Sequence, residues 1–234
     1  MMIPWLAGAP RFPPVESALD DPPGLLAVGG DLAPEWLLAA YHQGIFPWYS
    51  AGEPILWWSP DPRLVLAPSE MKISRSLGRT LRQHRFEIRF DTAFSEVVAA
   101  CAAPRGPGGG TWITEEMQAA YRRMHELGYA HSVEAWYEGS LAGGLYGIGL
   151  GRAFFGESMF SRRTDASKVA LAHLARYLES RDFAVIDCQM TTTHLLSLGA
   201  FEIDRAEFRA GLEIWTRQGD GPGCWPEDAG RGLF

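Results

Sequence analysis

The sequence predicts a mixed α/β (α+β) fold, with a small N-terminal domain over residues 1–61 and a larger sheet domain over 62–234. Three observations carry this. Beyond residue 62, apolar repeats at helical spacing alternate with short strand-like runs, the order expected of helices packed on a sheet. Within that order, SVEAWYEG and LAGGLYGIGL meet at Gly139. A tight turn there makes an antiparallel hairpin, so the sheet is not purely parallel. The stretch before residue 62 reads differently, with Phe46, Trp48, Tyr49, Trp57 and Trp58 set between prolines and glycines. The break falls at Ser59–Pro62.

The elements follow in order. The first twenty residues are Pro-rich and wrap a surface. LLAVGGD is an apolar run ended by Gly29 and Gly30. Asp31 caps a helix with Pro34 in its first turn. Trp36, Leu37, Ala40 and Tyr41 form its apolar face, and Gly44 suits its C-terminal cap. GIFPWYSAGEPILWWSPDPR reads as a packed loop or short strands. RLVLAP is a short strand. ISRSLGRTLRQ is a helix with Ile73, Leu77 and Leu81 on one face, and FEIRF is a strand. Asp91 or Thr92 caps a helix containing Phe94, Val97 and Val98, and Pro104–Gly110 is a flexible loop. Thr114 caps a helix with Met117, Tyr121 and Met124 inward, stopped by Gly128. The hairpin at Gly139 and a third strand, RAFFGESMF, come next. A helix from Ala166 to Leu178 is capped by Thr164 or Asp165. FAVIDCQ is a buried strand, and THLLSLG a short helix closed by Gly199. Asp204 and Glu207 have the reciprocal spacing that opens a last helix, and the tail after Gln218 reads as mobile. This order fits an acetyltransferase-like (GNAT) fold, one of several it fits.

Composition narrows the class of function. The chain of 234 residues is 47% hydrophobic and 21% charged, which suits a folded globular protein with a sizeable core and not a disordered one. No stretch approaches the roughly 20 apolar residues that span a bilayer. Prolines interrupt the N-terminus, which does not read as a signal peptide. Three cysteines, an odd number without metal-ligand spacing, read as incidental thiols in a reducing compartment. A net charge of −7 argues against a generic nucleic-acid binder but leaves room for a local basic face.

Such a face is present. Lys72, Arg75, Arg79, Arg82, Arg85 and Arg89 lie between Met71 and Phe90 against one acid, Glu87. Arg75, Arg79 and Arg82 share a helix face, suited to phosphates or simply to solvent. In the strand IDCQ, alternation puts Asp187 and Gln189 on one side and Cys188 on the other. A carboxylate and an amide at a strand's C-terminal end either hold a reacting group or satisfy the following turn. In GESMFSRRTDASK, Glu157 either accepts a ligand's cation or pairs with Arg162 or Arg163. Lys168 faces solvent or a phosphate. The run GGLYGIGLG lacks the lysine of a phosphate loop, and its glycines read as close backbone approach in a sheet. The six histidines form no metal pattern.

Taken together, GIFPWYS, PILWWSPDPR, GTWIT, HSVE, GESMFSR and IDCQ, in this order, closely resemble the bacterial leucyl/phenylalanyl-tRNA–protein transferase family. The likeness runs from about Gly24 to Trp215. It implies a small N-terminal domain followed by a GNAT-like domain that uses no acetyl-CoA, no other cofactor and no metal. It implies transfer of Leu or Phe, and less readily Met, from aminoacyl-tRNA to the α-amino group of a protein beginning with Arg or Lys, marking it for N-end-rule degradation. A cytoplasmic monomer without membrane association is expected.

The resemblance also assigns residues. Asp187 and Gln189 position or activate the amine, one reading having Asp187 polarise Gln189. Glu157 orients the acceptor's amine or basic side chain. Trp48 and Trp112 lie near the 3′ adenosine and aminoacyl end, and Leu145, Phe154 and Phe155 line the side-chain pocket. A confined patch of Lys72, Arg75, Arg79, Arg82, Arg162 and Arg163 carries the tRNA backbone. Three rivals make other predictions: a CoA-dependent acetyltransferase, a non-catalytic tRNA-binding module, and a tRNA-dependent transferase with a different acceptor.

Overall fold

Period-two patterning gives the strands and period-3.6 patterning the helices, and a computed structural model shows how they assemble. It describes residues 3–104, 111–219 and 221–234. Most of the predicted loop at Pro104–Gly110, from 105 to 110, lies outside the described residues.

Among the described residues the strands form two sheets. The first has four strands: β1 (Trp5–Leu6), β2 (Leu25–Gly29), β3 (Phe46–Pro47) and β4 (Leu56–Trp58), in the order β1-β2-β4-β3. Helix α1 (Pro34–Tyr41) lies between β2 and β3 in sequence. Of the aromatic residues in the predicted packed stretch, Phe46, Tyr49 and Trp57 are buried, Trp57 with Phe12 edge-on to it, whereas Trp48 is exposed.

The second sheet has seven strands: β5 (Arg63–Leu66), β6 (Glu87–Phe90), β7 (Ala130–Tyr137), β8 (Ser140–Leu150), β9 (Ala153–Ser161), β10 (Val185–Gln189) and β11 (Phe201–Ile203). Their order is β11-β5-β10-β9-β8-β7-β6. The hairpin at Gly139 is present, and β7, β8 and β9 pair antiparallel. β9 and β10 pair parallel. The fold is therefore a mixed α/β one. Helices α2 (Arg75–Arg82), α3 (Phe94–Ala102), α4 (Glu115–Glu126), α5 (Ala166–Ser180), α6 (Thr193–Ser197) and α7 (Arg205–Trp215) complete it.

Alternation along the strands divides the core. Val65, Tyr146, Phe155 and Val185 belong to a cluster that includes α1, α3, α4 and the four-stranded sheet. Leu64, Leu145, Phe154 and Ile186 belong to one that includes α5. A Cβ on Gly147 would collide with the Phe155 carbonyl and the Phe154 ring. The glycine run thus serves close approach inside the sheet.

Several predicted caps differ. Ser74, Thr114 and Thr192 cap through their hydroxyls. Asp91 and Thr92 do not cap α3, whose first flanking residue is Ala93. Their side chains are taken elsewhere: Asp91 holds His131, Ser132 N and Trp225 N, and Thr92 donates to Glu134. Asp165 precedes α5 in a left-handed conformation and makes no cap bond; its carboxylate accepts from Lys168 and Thr80 instead. Asp204 precedes α7 without a side-chain cap bond, so the reciprocal pattern with Glu207 is not formed. Asp31 accepts from Ala33 N, and α1 starts just beyond at Pro34.

The tail is also a correction. Residues 221–234 pack back on the body: Trp225 stacks on His131 at 3.9 Å between ring centres, and Phe90 N donates to the Glu227 carbonyl. Buried aromatic area outweighed the Gly/Pro content. Among the described residues no helix is long and apolar enough to cross a membrane.

Candidate active site

Two irregularities side by side create the site. The parallel pairing of β9 and β10 runs from Ala153–Val185 to Phe155–Asp187 and ends. β9 then steps over Glu157, because Gly156 opposes Gly147 while Ser158 opposes Tyr146. β10 steps over Cys188, because Asp187 opposes Val65 while Gln189 opposes Leu64. Bulges of this kind break the ladder and re-aim side chains. At this point a cavity of about 480 Å³ opens.

Its apolar wall includes Leu145, Phe154, Leu171, Leu174 and Ile186, and Trp48 and Trp112 flank it. Glu157, Asp187 and Gln189 lie at its polar end. A larger cavity of about 750 Å³ sits at the other end of the sheet, against Gly149–Arg152, the end of α5 and the tail. It is lined by Gly149–Gly151 of the glycine run but by none of the predicted catalytic, substrate-binding or tRNA-binding residues, so the smaller one is the candidate site.

Asp187 is fully buried and held by Arg63, which is 1% exposed. The two groups meet as a fork, Nε to Oδ1 at 2.8 Å and Nη2 to Oδ2 at 2.6 Å. Arg63 also donates to the Gly44 carbonyl, and its guanidinium lies between the rings of Phe46 and Phe208 at 4.9 and 4.8 Å. The planar fork suits both the carboxylate and the rings, which a lysine would not do. Asp187 Oδ1 further accepts the Gln189 backbone N–H at 2.9 Å. That bond fixes Gln189 at φ 63°, a left-handed conformation in which the strand's alternation has ended.

Glu157 is built into an equally dense network. Oε1 accepts from Tyr41 Oη at 2.7 Å and Gln189 Nε2 at 2.9 Å. Oε2 accepts from Tyr121 Oη at 2.6 Å, and the two tyrosine oxygens lie 2.6 Å apart. Burial pushes the Glu157 carboxyl up to about 7; the Tyr121 and Tyr41 hydrogen bonds oppose the rise, and the nearby Asp187 charge adds to it. Burial, reinforced by Glu157, raises Tyr41 and Tyr121 well above the ordinary tyrosine range.

The predicted residues fall as follows. Asp187, Gln189, Glu157, Trp48, Trp112, Leu145 and Phe154 all reach the cavity. Phe155 does not line it. Alternation along β9 sends its ring to the opposite face, against Tyr41 at 5.1 Å between ring centres. Asp187 and Gln189 do not share a side by simple alternation, because the bulge and the left-handed residue intervene, and Cys188 lines the cavity with them. Asp187 meets the backbone of Gln189 and not its amide, so it does not polarise that side chain. Glu157 pairs with neither Arg162 nor Arg163. Arg162 donates to the Leu141 carbonyl, and Arg163 lies over the Tyr137 ring at 4.0 Å. Lys72, Arg75, Arg79, Arg82, Arg162 and Arg163 are all exposed. Thr80 of α2 touches Asp165, in the turn after Arg163, which sets the two basic groups on one side of the molecule.

Sequence reading missed Arg63, Tyr41 and Tyr121. Tyr41 and Tyr121 appeared there only as apolar-face residues. The one signal for Arg63 was a cation opening an otherwise apolar strand.

With this geometry in view, the comparisons are specific. A family described as leucyl/phenylalanyl-tRNA protein transferase matches residues 65–213, and its N-terminal domain matches 30–61. The chain is similar to leucyl/phenylalanyl-tRNA–protein transferases of Aromatoleum aromaticum, at 72% identity over 96% of this chain and 94% of the relative, and of Azoarcus sp., at 73% over 96% and 95%. The counterpart from Nitrosomonas europaea is 64% identical over 90% and 89%. Among solved structures, a GCN5-related N-acetyltransferase from Kribbella flavida aligns with TM-score 0.37 and 10% identity over 72% of this chain and 60% of its own.

Proposed function

The chain belongs to the leucyl/phenylalanyl-tRNA–protein transferase family and is an aminoacyltransferase; from that premise we propose that it moves Leu or Phe, and less readily Met, from aminoacyl-tRNA to the α-amino group of proteins beginning with Arg or Lys. The product is marked for N-end-rule degradation, and the enzyme works in the cytoplasm as a monomer. The division of the chain at residues 61 and 62 belongs to the same reading.

One observation carries it: an apolar cavity closed at one end by Glu157 and Gln189. Its wall of Leu145, Phe154, Leu171 and Ile186 suits an unbranched or aromatic side chain. The chemistry is aminolysis of an ester. Gln189 donates its amide N–H to Glu157, and among the described residues nothing donates to its carbonyl oxygen. That oxygen supports a role in receiving an amine N–H. A neutral amide is a poor base, so its contribution is orientation and fixed dipole. Trp48, 38% exposed at the cavity mouth, offers a face on which a terminal base stacks.

Radiolabelled Leu-tRNA incubated with the protein and two peptides, one starting with Arg and one with Ala, tests the reading. Label in the Arg peptide alone is the expected result. No label in either, with intact ester and folded protein, removes it.

The basic patch supplies backbone contacts to tRNA. Arg79→Ala is expected to weaken all tRNAs alike and to reduce the salt dependence of binding by about one phosphate contact. Filter binding at several salt concentrations measures this. A loss confined to one tRNA would overturn the phosphate role.

A further inference from the structure

Tyr41, Tyr121 and Glu157 are brought together from α1, α4 and β9, and their oxygens touch in a closed ring. The contacts are Tyr41 to Glu157 at 2.7 Å, Tyr121 to Glu157 at 2.6 Å, and Tyr41 to Tyr121 at 2.6 Å. Each contact at such a distance needs one proton. The two hydroxyls supply two protons. With Glu157 ionised, both point to the carboxylate, and the tyrosine oxygens then face each other at 2.6 Å through lone pairs. A third proton resolves the conflict. Placed on Oε2, it is donated to Tyr121, Tyr121 donates to Tyr41, and Tyr41 donates to Oε1. Oε1 keeps the Gln189 N–H in the same arrangement. Both tyrosine oxygens then donate and accept, Oε2 donates and Oε1 accepts, and such chains reinforce one another in a dry site.

We propose that this ring is the proton acceptor of the transfer reaction: Glu157 takes one proton from the acceptor protein's α-ammonium group, and Tyr41 and Tyr121 are the positioning residues that hold it. The proposal rests on the aminoacyl-transfer reading of the cavity. The step balances. One proton passes from –NH3+ to Glu157 Oε2, and the freed lone pair attacks the ester carbonyl carbon. The C–O bond to the ribose breaks, and the leaving oxygen takes a second amine proton. The amide nitrogen keeps the third, and Glu157 returns its proton to solvent. Raised to about 7 by burial, this carboxyl has a basicity close to that of an α-amine, which an amide oxygen lacks.

The surroundings favour a carboxyl that changes state near neutrality. Tyr146 approaches from β8 with its hydroxyl buried and, among the described residues, without a hydrogen-bond partner. Asp187 approaches from β10, its charge compensated by Arg63 of β5. Cys101 of α3 lies beside Tyr146. Burial holds the Glu157 carboxyl at about 7, and among the described residues the groups acting on it are Tyr121, Tyr41, Asp187 and Gln189, none of them a cation.

The test is the pH dependence of single-turnover transfer from Leu-tRNA to an Arg-starting peptide, corrected for ester hydrolysis. The wild-type rate is expected to rise through about pH 7. In Glu157→Gln the reaction must wait for amine already neutral in solution, whose ordinary pKa is about 7.7–8.0. The loss is therefore expected to be on the order of 100-fold near pH 6.5 and within about tenfold near pH 9. If Glu157 served only to attract the acceptor's guanidinium, the loss would be at least as large near pH 9, where the carboxyl is ionised, as near pH 6.5, and that result overturns the proposal. Tyr121→Phe removes a donor to the carboxylate and is expected to move the rising limb up by about one unit. An unmoved limb in a folded Tyr121→Phe protein overturns the ring, whether or not Glu157→Gln folds. Absence of wild-type transfer at every pH is a separate outcome, which removes the transfer reading beneath it.

Discussion

Arg63→Ala is expected to lower stability by about 3–5 kcal/mol, the scale seen when one partner of a buried ion pair is removed. Asp187, with no solvent exposure, would keep a charge with no cation beside it. The Gly44 carbonyl would lose its donor, and Phe46 and Phe208 would line a hole. These contacts come from the segment before β3, from β3, from β10 and from α7, so the loss reaches four parts of the fold. Arg63→Lys keeps the charge but not the fork and is expected to fall between. Replacing both partners, Arg63→Met with Asp187→Leu, is expected to recover most of the stability, because neither charge is then buried. Activity is not expected to return, since Gln189 loses the Oδ1 acceptor that holds its backbone. Urea unfolding of the four proteins measures the order. A drop below about 1 kcal/mol for Arg63→Ala would show that water reaches Asp187 and that the pair is not the fastening described.

Gln189→Gly is expected to lower kcat by about 10²–10³-fold, the range found when one preorganised polar group is removed from an active site. Glycine is the informative substitute because residue 189 sits at φ 63°. Alanine there adds backbone strain, whereas glycine removes the amide and leaves the turn unstrained. Removal also frees Glu157 Oε1 of its Nε2 donor. Steady-state kinetics with varied acceptor peptide separates the roles. Equal loss in kcat and kcat/KM places the contribution in the transition state, while a raised KM with unchanged kcat makes Gln189 a binding residue only.

The sequence by itself determined the elements and most of the cavity. Periodicity located the hairpin at Gly139 and the long helix α5, and the blocks GESMFSR and IDCQ pointed to Glu157, Asp187 and Gln189. Such features are local: a period of two or 3.6 and a polar residue in an apolar run are visible without neighbours. Phe155 was misplaced because adjacent strand residues face opposite ways and the text of a motif does not say which faces the ligand.

What the tertiary structure decided was partnership. Arg63 and Asp187 are separated by 124 positions, Tyr41 and Glu157 by 116, and no pattern in the chain announces either pair. Asp91, predicted to cap α3, is held by distant donors on β7 and the tail, and Asp165, predicted to cap α5, is shared between nearby Lys168 and distant Thr80. The two adjacent bulges also depend on the register between strands. Burial then set the chemistry. A glutamate in sequence is an ordinary acid, and only its enclosure beside two tyrosines brings it to about 7, since desolvation acts through what surrounds a group and not through what precedes it.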